Sequence, residues 1–361
     1  RYPPFPGGRE NFVFELVNQL SMENAVLVVT PDKENYDNGN LIIRKYPDSK
    51  KLLKKIIKEF NPDIINSHTF YLSNEAIDIA KEMNIPFGIT LHGDQFAIGD
   101  EKRQSIVAGL VNVSDFVISV SENGRQSIIK NVKNIKKDKL FVINNGVNFE
   151  SFNEMVRQNN SINRNELGIN LQDVVILVPT RIASYKGLNF LVDSIVKNKS
   201  FIEKNKILFI ISIPDYIFSE EESALFSKIK NRIEDDNISG LIKFIFLKYQ
   251  DVTKAYSVAD IFLLPSEKEQ FPLSIIESMA CKIPVIATRV GGVPELLENK
   301  KDAYIIDFGD SISLMQGIES YLIVENRDRN GKNAYEKVSE KYSIEIIARK
   351  YYELYRKVLS K

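Results

Sequence analysis

The 361-residue chain carries 48 basic and 48 acidic side chains, a formal net charge of zero. Residues 1–150 hold 19 of each sign, so neither half is a basic arm or an acidic tail, and a chain-wide field for nucleic acid is excluded. One cysteine, Cys281, excludes an internal disulfide and a thiolate zinc cluster, and two histidines, His68 and His92, argue against a multi-histidine metal site.

At roughly 150 residues per domain the length implies two domains. No apolar run approaches the roughly 18 residues of a membrane span. The G-x-S-x-G, G-x-x-x-x-G-K-[ST] and G-x-G-x-x-G motifs are all absent.

In chain order, short apolar runs alternate with helical patterns. The spacing predicts strands at Ala25–Thr30, Ile64–Ile65, Phe87–Leu91, Phe116–Val120 and Leu140–Ile143. Between them it predicts helices over Glu10–Leu20, Lys50–Phe60, Asn74–Met83 and Glu122–Lys130. The runs are apolar throughout, as strands of a parallel sheet buried on both faces must be. Residues 151–172 are polar and rich in Asn, and read as a linker. Strands then recur at Val174–Pro179, Ile207–Ile211, Lys243–Leu247, Ile261–Leu264 and Pro284–Thr288, with helices over Gly187–Lys197, Glu220–Glu234, Thr253–Ala259 and Pro272–Cys281. Two α/β halves joined by a linker imply a cleft, at the carboxyl ends of the strands where open sheets bind ligands. Lys50–Lys58 forms a basic amphipathic pattern. It reads as a solvated helix face or as a contact with anionic lipid.

Chemistry concentrates in Pro265–Glu298. A loop with Glu267 and Glu269 leads to Phe271-Pro272-Leu273-Ser274 and a helix expected to carry Glu277 in its first turn. Free amides at Leu273 and Ser274 would face an anion. Gly291-Gly292 precedes a second expected helix start at Pro294, and two such helix ends would suit a diphosphate.

Glu269 and Glu277, with seven residues between them and followed by Pro-Val-Ile-Ala-Thr and Gly-Gly-Val-Pro-Glu, resemble glycosyltransferase family 4. The resemblance extends over nearly the whole chain. Arg181 and Lys186-Gly187 resemble the family's phosphate-binding pair. Gly7-Gly8, Pro62-Asp63 with His68, His92-Gly93, Asn145-Gly146-Val147 with Phe152, Ala259-Asp260 with Pro265-Ser266, and Tyr342-Ser343 match further segments.

The resemblance implies a GT-B fold, α/β, with two Rossmann-like domains whose parallel sheets face a central cleft. The domains implied are residues 1–150 on the acceptor side, a linker over 151–172, a nucleotide-sugar domain over 173–340, and a last helix over 341–361 that crosses back. Only Arg1–Pro6 precede the glycine pair, so the expectation is that a first strand is missing from the N-terminal domain.

The activity implied is retaining transfer of a sugar from a nucleotide diphosphate donor to a hydroxyl of a glycan or lipid-linked saccharide. A UDP-sugar is favoured, with a GDP-sugar as the alternative. His92, Arg181, Lys186 and Glu269 are the expected catalytic residues. Gly7, Gly8, Arg181, Lys186, Phe271, Leu273, Ser274 and Glu277 are expected to bind the donor, with Glu277 accepting from both ribose hydroxyls. His68 either lines the site or caps a strand. No Asp-x-Asp triplet occurs, and Arg181 with Lys186 would replace a metal, so no cofactor is expected.

The expected location is the cytoplasm, with peripheral contact at the inner face of the membrane as a further option. Gln270, Ser212 and Lys248 stand where the family commonly has glycine, which leaves a non-catalytic nucleotide-sugar-binding protein as the alternative.

Overall fold

The computed structural model describes residues 8–31, 33–70, 73–93, 96, 100–248 and 251–360. The chain divides into two compact units, Arg1–Gly146 with Tyr342–Lys361, and Val147–Lys341. Among the described residues the strands form three sheets.

In the first unit α1 (Gly8–Ser21) buries Phe12, Val13, Leu16 and Val17 on one face. β1 (Val26–Thr30) pairs in parallel with β3 (Leu41–Lys45), and β2 (Tyr36–Asn38) closes a hairpin onto β3. The sequence reading missed this hairpin because β2 is exposed along its whole length and has no apolar run.

Helix α2 (Lys50–Phe60) buries Leu53 and Ile57, one turn apart, and Ser49 caps its start by accepting from the Leu52 amide. Its lysines lie outside. Lys50 pairs with Asp78 and Lys54 with Glu82, both acids belonging to α3 (Ser73–Glu82). The basic face is thus partly neutralised by its neighbour.

A second parallel sheet runs β4-β5-β6-β7, from β4 (Ile65–Ser67), β5 (Phe87–Leu91), β6 (Phe116–Ser119) and β7 (Leu140–Val142). Helices α4 (Glu101–Val113) and α5 (Glu122–Asn131) precede and follow β6. A cavity of about 680 Å³ is lined by β1 residues Val26–Thr30 and β4 residues Ile65–Ser67, each strand an edge of its own sheet.

In the second unit residues 151–172 do more than link. Residues Glu154–Asn159 form a 3-10 turn and α6 (Asn160–Glu166) follows. Arg164 is buried there. It donates to Asp260 and to the carbonyls of Asp173 and Val258, which ties the segment to the domain. The polar composition that suggested a linker instead satisfies backbone groups at the foot of a sheet.

That sheet has six parallel strands: β8 (Val174–Pro179), β9 (Ile207–Pro214), β10 (Ile242–Leu247), β11 (Ile261–Leu264), β12 (Val285–Thr288) and β13 (Ala303–Ile306). Their order is β10-β9-β8-β11-β12-β13. The chain builds outward from β8 to one edge, then returns to build from β11 to the other. The loops after β8 and β11 therefore meet at a topological switch point.

The helices of this unit are α7 (Leu188–Lys197), α8 (Lys199–Lys204), α9 (Glu220–Asp235), α10 (Val252–Val258), α11 (Leu273–Ala280), α12 (Val293–Leu296), α13 (Ser311–Leu322) and α14 (Val324–Lys341). β9 continues three residues past the expected end at Ile211, because Ser212 and Ile213 pair onward with Pro179 and β10. Ser212 is thereby a buried strand residue.

Helix α15 (Ile344–Leu359), capped by Ser343, belongs to the first unit. It packs on Gly146, where a Cβ would lie 2.8 Å from Ile347 Cγ1. Of its tyrosines Tyr351 is fully buried, whereas Tyr352 is 39% exposed. No described helix is long and apolar enough to cross a membrane.

Candidate functional site

Three loops converge at the carboxyl ends of β8, β11 and β12. The loop after β11 lies between the other two. Glu267 donates its amide to the Tyr185 carbonyl at 2.8 Å, and Gly292 donates to the Gln270 carbonyl at 2.9 Å. Two glycines permit this contact. Gly187 has φ +76°, and a Cβ there would lie 1.9 Å from the Pro265 carbonyl oxygen. Gly291 has φ +53°, and its Cβ would lie 1.7 Å from the Glu269 carbonyl oxygen. Both the left-handed backbone and the missing side chain are needed at these positions.

The convergence brings together residues that the sequence keeps far apart. Lys186 Nζ donates to Glu269 Oε1 at 2.6 Å, and Ser266 Oγ donates to the same oxygen at 2.8 Å. The Lys186 and Glu269 side chains are 17% and 10% exposed, so the pair is largely removed from solvent. A charge-assisted bond of this length is among the stronger polar contacts in a protein.

Arg181 is exposed, and its charge acts on Glu222 and Tyr216. Tyr216 donates to Glu222 at 2.8 Å. Burial, then that bond, pushes the Tyr216 hydroxyl up to about 12. Phe271 is buried, Leu273 and Ser274 are partly exposed, and Gln270 is buried in the loop contact. Pro272, with ψ 118°, is the N-cap of α11 and makes no side-chain cap. The Leu273 and Ser274 amides thus lead the helix without a capping side chain. Lys248 directly follows β10, and its carbonyl accepts from the Asp251 amide.

Glu277 departs from expectation. Because Pro272 is extended, the helix begins at Leu273, and Glu277 falls in its second turn, beyond the reach of the helix end. Its side chain is half-buried, and its carboxyl accepts from the hydroxyl of Tyr256 on α10. Burial raises the Glu277 carboxyl to about 7, while the Tyr256 bond opposes that rise. Burial, then the adjacent Glu277, raises the Tyr256 hydroxyl well above its ordinary value. Cys281 is buried and its thiol is raised, chiefly by desolvation. Sequence reading missed Tyr256, since nothing local links it to a glutamate 21 residues on.

The histidines form a separate cluster in the first unit. His68 Nδ1 lies 2.9 Å from His92 Nε2, and the two rings stack at 5.2 Å. Asn66 Nδ2 approaches His68 Nε2 at 3.4 Å and donates to Tyr355 at 2.8 Å. Burial, then Arg9, lowers His68 to about 3. Burial, then His68 and Arg9, lowers His92 well below its ordinary value, with the Asn145 side chain acting against them. Gly8 opens α1 in this unit, and Gly7 lies outside the described residues.

Comparison with known proteins accords with this geometry. The family described as Glycosyltransferase Family 4 matches residues 6–151, and Glycosyl transferases group 1 matches residues 159–337. The chain is 26% identical over 317 residues to N-acetyl-alpha-D-glucosaminyl L-malate synthase of Bacillus anthracis, covering 85% of this chain and 78% of that protein. It is 27% identical to the capsular polysaccharide biosynthesis glycosyltransferase CapM of Staphylococcus aureus, covering 90% and 83%.

Among solved structures, the Anabaena protein HepE in complex with UDP and glucose superposes with a TM-score of 0.83 at 18% identity, over 98% of this chain and 97% of that one. A glycosyltransferase from Rickettsia africae gives 0.84 at 21%, over 98% and 95%. Both share the GT-B fold. With its two halves matched by the two family profiles, the chain belongs to the group 1 glycosyltransferases of family 4.

Proposed function

We propose that this glycosyltransferase moves a sugar, with retention of configuration, from a nucleotide diphosphate donor to a hydroxyl of a glycan or lipid-linked saccharide. A UDP-sugar is the favoured donor, and no metal is required. The observation that carries the reading is the Lys186–Glu269 pair, set at the β8–β11 switch point beside the uncapped start of α11.

Departure of a diphosphate leaves negative charge that must be met by cations or aligned amides. Lys186, Arg181 and the Leu273 and Ser274 amides supply these without a metal ion. Glu269 holds Lys186 before the donor arrives, then accepts from sugar hydroxyls when the ammonium turns to phosphate. Glu277 accepts from a ribose hydroxyl. His92, in the first unit, is neutral, and serves the sugar as a hydrogen-bonding group and not as a general acid. The leaving diphosphate takes the proton of the acceptor hydroxyl, so the protein needs no base of its own.

Support for a nucleotide donor comes also from HepE, solved with UDP and glucose. Support for a saccharide acceptor comes from CapM, named for capsular polysaccharide biosynthesis. Calorimetry with UDP- and GDP-sugars, followed by NMR of the anomeric product, tests the reading. Binding of a UDP-sugar and a product of unchanged anomeric configuration are expected. Absence of binding across the panel sinks it, and binding without turnover on any acceptor leaves the non-catalytic alternative.

A further inference from the structure

Glu277 is placed where a carboxylate is hard to keep. It lies past the first turn of α11, so the helix end does not stabilise its charge, and desolvation favours the neutral acid. Among the described residues the hydrogen bond it receives comes from Tyr256. The tyrosine is held rigidly for this. It is 1% exposed, its ring stacks on Phe262 at 6.5 Å and meets Phe152 edge-on at 5.5 Å. The Ser274 carbonyl is 3.5 Å from the same hydroxyl, too far to compete with the carboxylate for its single proton.

The other titratable neighbours are Cys281, which caps the end of α11, and Arg157, whose charge bears on Cys281. Helix α14 packs against α11 and buries Gly331, Ala334 and Val338, none of which titrates.

We propose that Tyr256 is a positioning residue for donor binding: its hydroxyl occupies Glu277 Oε2, fixing the carboxylate and leaving Oε1 as the acceptor for one ribose hydroxyl. This rests on the nucleotide-sugar reading of the site. It also revises the expected two-handed grip on the ribose diol, since one oxygen is already engaged inside the protein. Tyr256 keeps the carboxyl ionisable in the neutral range and spares it from turning away when no ligand is present.

The test is Tyr256→Phe, which removes the hydroxyl and keeps the stacked ring. The probe is UDP-glucose, a diphosphate diester whose phosphates do not titrate between pH 6 and 8.5. In the wild type, affinity rises as the pH passes through about 7. In Tyr256→Phe the rise moves up by about one pH unit, so affinity at pH 7 falls about fivefold to tenfold and recovers toward wild type at pH 8.5. Glu277→Gln removes the pH dependence. A uniform loss at every pH in Tyr256→Phe would mean a purely structural role and overturn the proposal.

If UDP-glucose does not bind the wild type, the nucleotide reading fails first. The carboxyl ¹³C titration of Glu277 in the ligand-free protein then tests the positioning role by itself. A midpoint unchanged by Tyr256→Phe overturns it.

Discussion

His68 and His92 share one proton across 2.9 Å, Nδ1 to Nε2, inside the first unit. An N–H must face a bare nitrogen, so the two tautomers are locked together. Asn66 Nδ2 gives its two protons to Tyr355 at 2.8 Å and Thr90 at 3.0 Å, so the direction of the bond is set between the imidazoles themselves. ¹⁵N–¹H correlation spectra near neutral pH should show one of the two facing nitrogens protonated and the other bare. Two bare or two protonated facing nitrogens would refute the pairing.

Both histidines have lowered folded values, so the unfolded chain binds protons that the native state refuses. Stability is full above the unfolded value of about 6.5 and is lost as the pH falls toward about 3. Urea midpoints measured from pH 7 to 4 should fall, and His68→Leu should flatten that fall.

Glu277 acts with the opposite sign. Its folded value of about 7 lies above the ordinary carboxylate value of 4.5, so the native state holds a proton that the unfolded chain has released. Its contribution is present below about 4.5 and is lost as the pH rises to about 7, a cost of order 3 kcal/mol. Glu277→Gln should therefore raise the thermal midpoint at pH 8 and change it little at pH 4.5, while weakening UDP-glucose binding.

Lys186→Ala leaves Glu269 in a largely dry loop with Ser266 as its remaining partner. Loss of one member of such a pair costs about 3 kcal/mol, more than the pair itself contributes. Donor affinity should fall at least about tenfold. Lys186→Ala with Glu269→Gln should recover stability but not binding, which a denaturant series and calorimetry will separate. Recovery of binding in the double variant would show that Lys186 does not meet the diphosphate.

Gly291→Ala tests the loop junction. The new Cβ meets a backbone carbonyl oxygen that no side-chain rotation can clear, and φ stays in the left-handed region. A loss of at least about 2 kcal/mol is expected, with displacement of the Glu269 loop and loss of donor binding. A variant of unchanged stability and affinity would mean that the loops have room to separate.

The alternation of apolar runs and helical patterns was enough to place β5, β8 and β11 at the residues the structure gives them. Strands buried on both faces leave an unbroken apolar record, so they are legible. β2 is exposed and left none. The segment 151–172 misled because Arg164 satisfies carbonyls that are distant in sequence.

At the site, the motif wording singled out Lys186, Glu269 and Glu277 as candidates, since local sequence records which side chains a loop carries. It did not record that Lys186 grips Glu269, that the charge of Arg181 acts on Glu222, or that Tyr256 holds Glu277. Those relations depend on the β8–β11 adjacency and on two glycines that let loops touch backbone to backbone. The balanced charge that opened the sequence reading excluded a global field. Tertiary structure decided which few charges are withdrawn from water, and desolvation at those points, not net charge, sets the chemistry of the site.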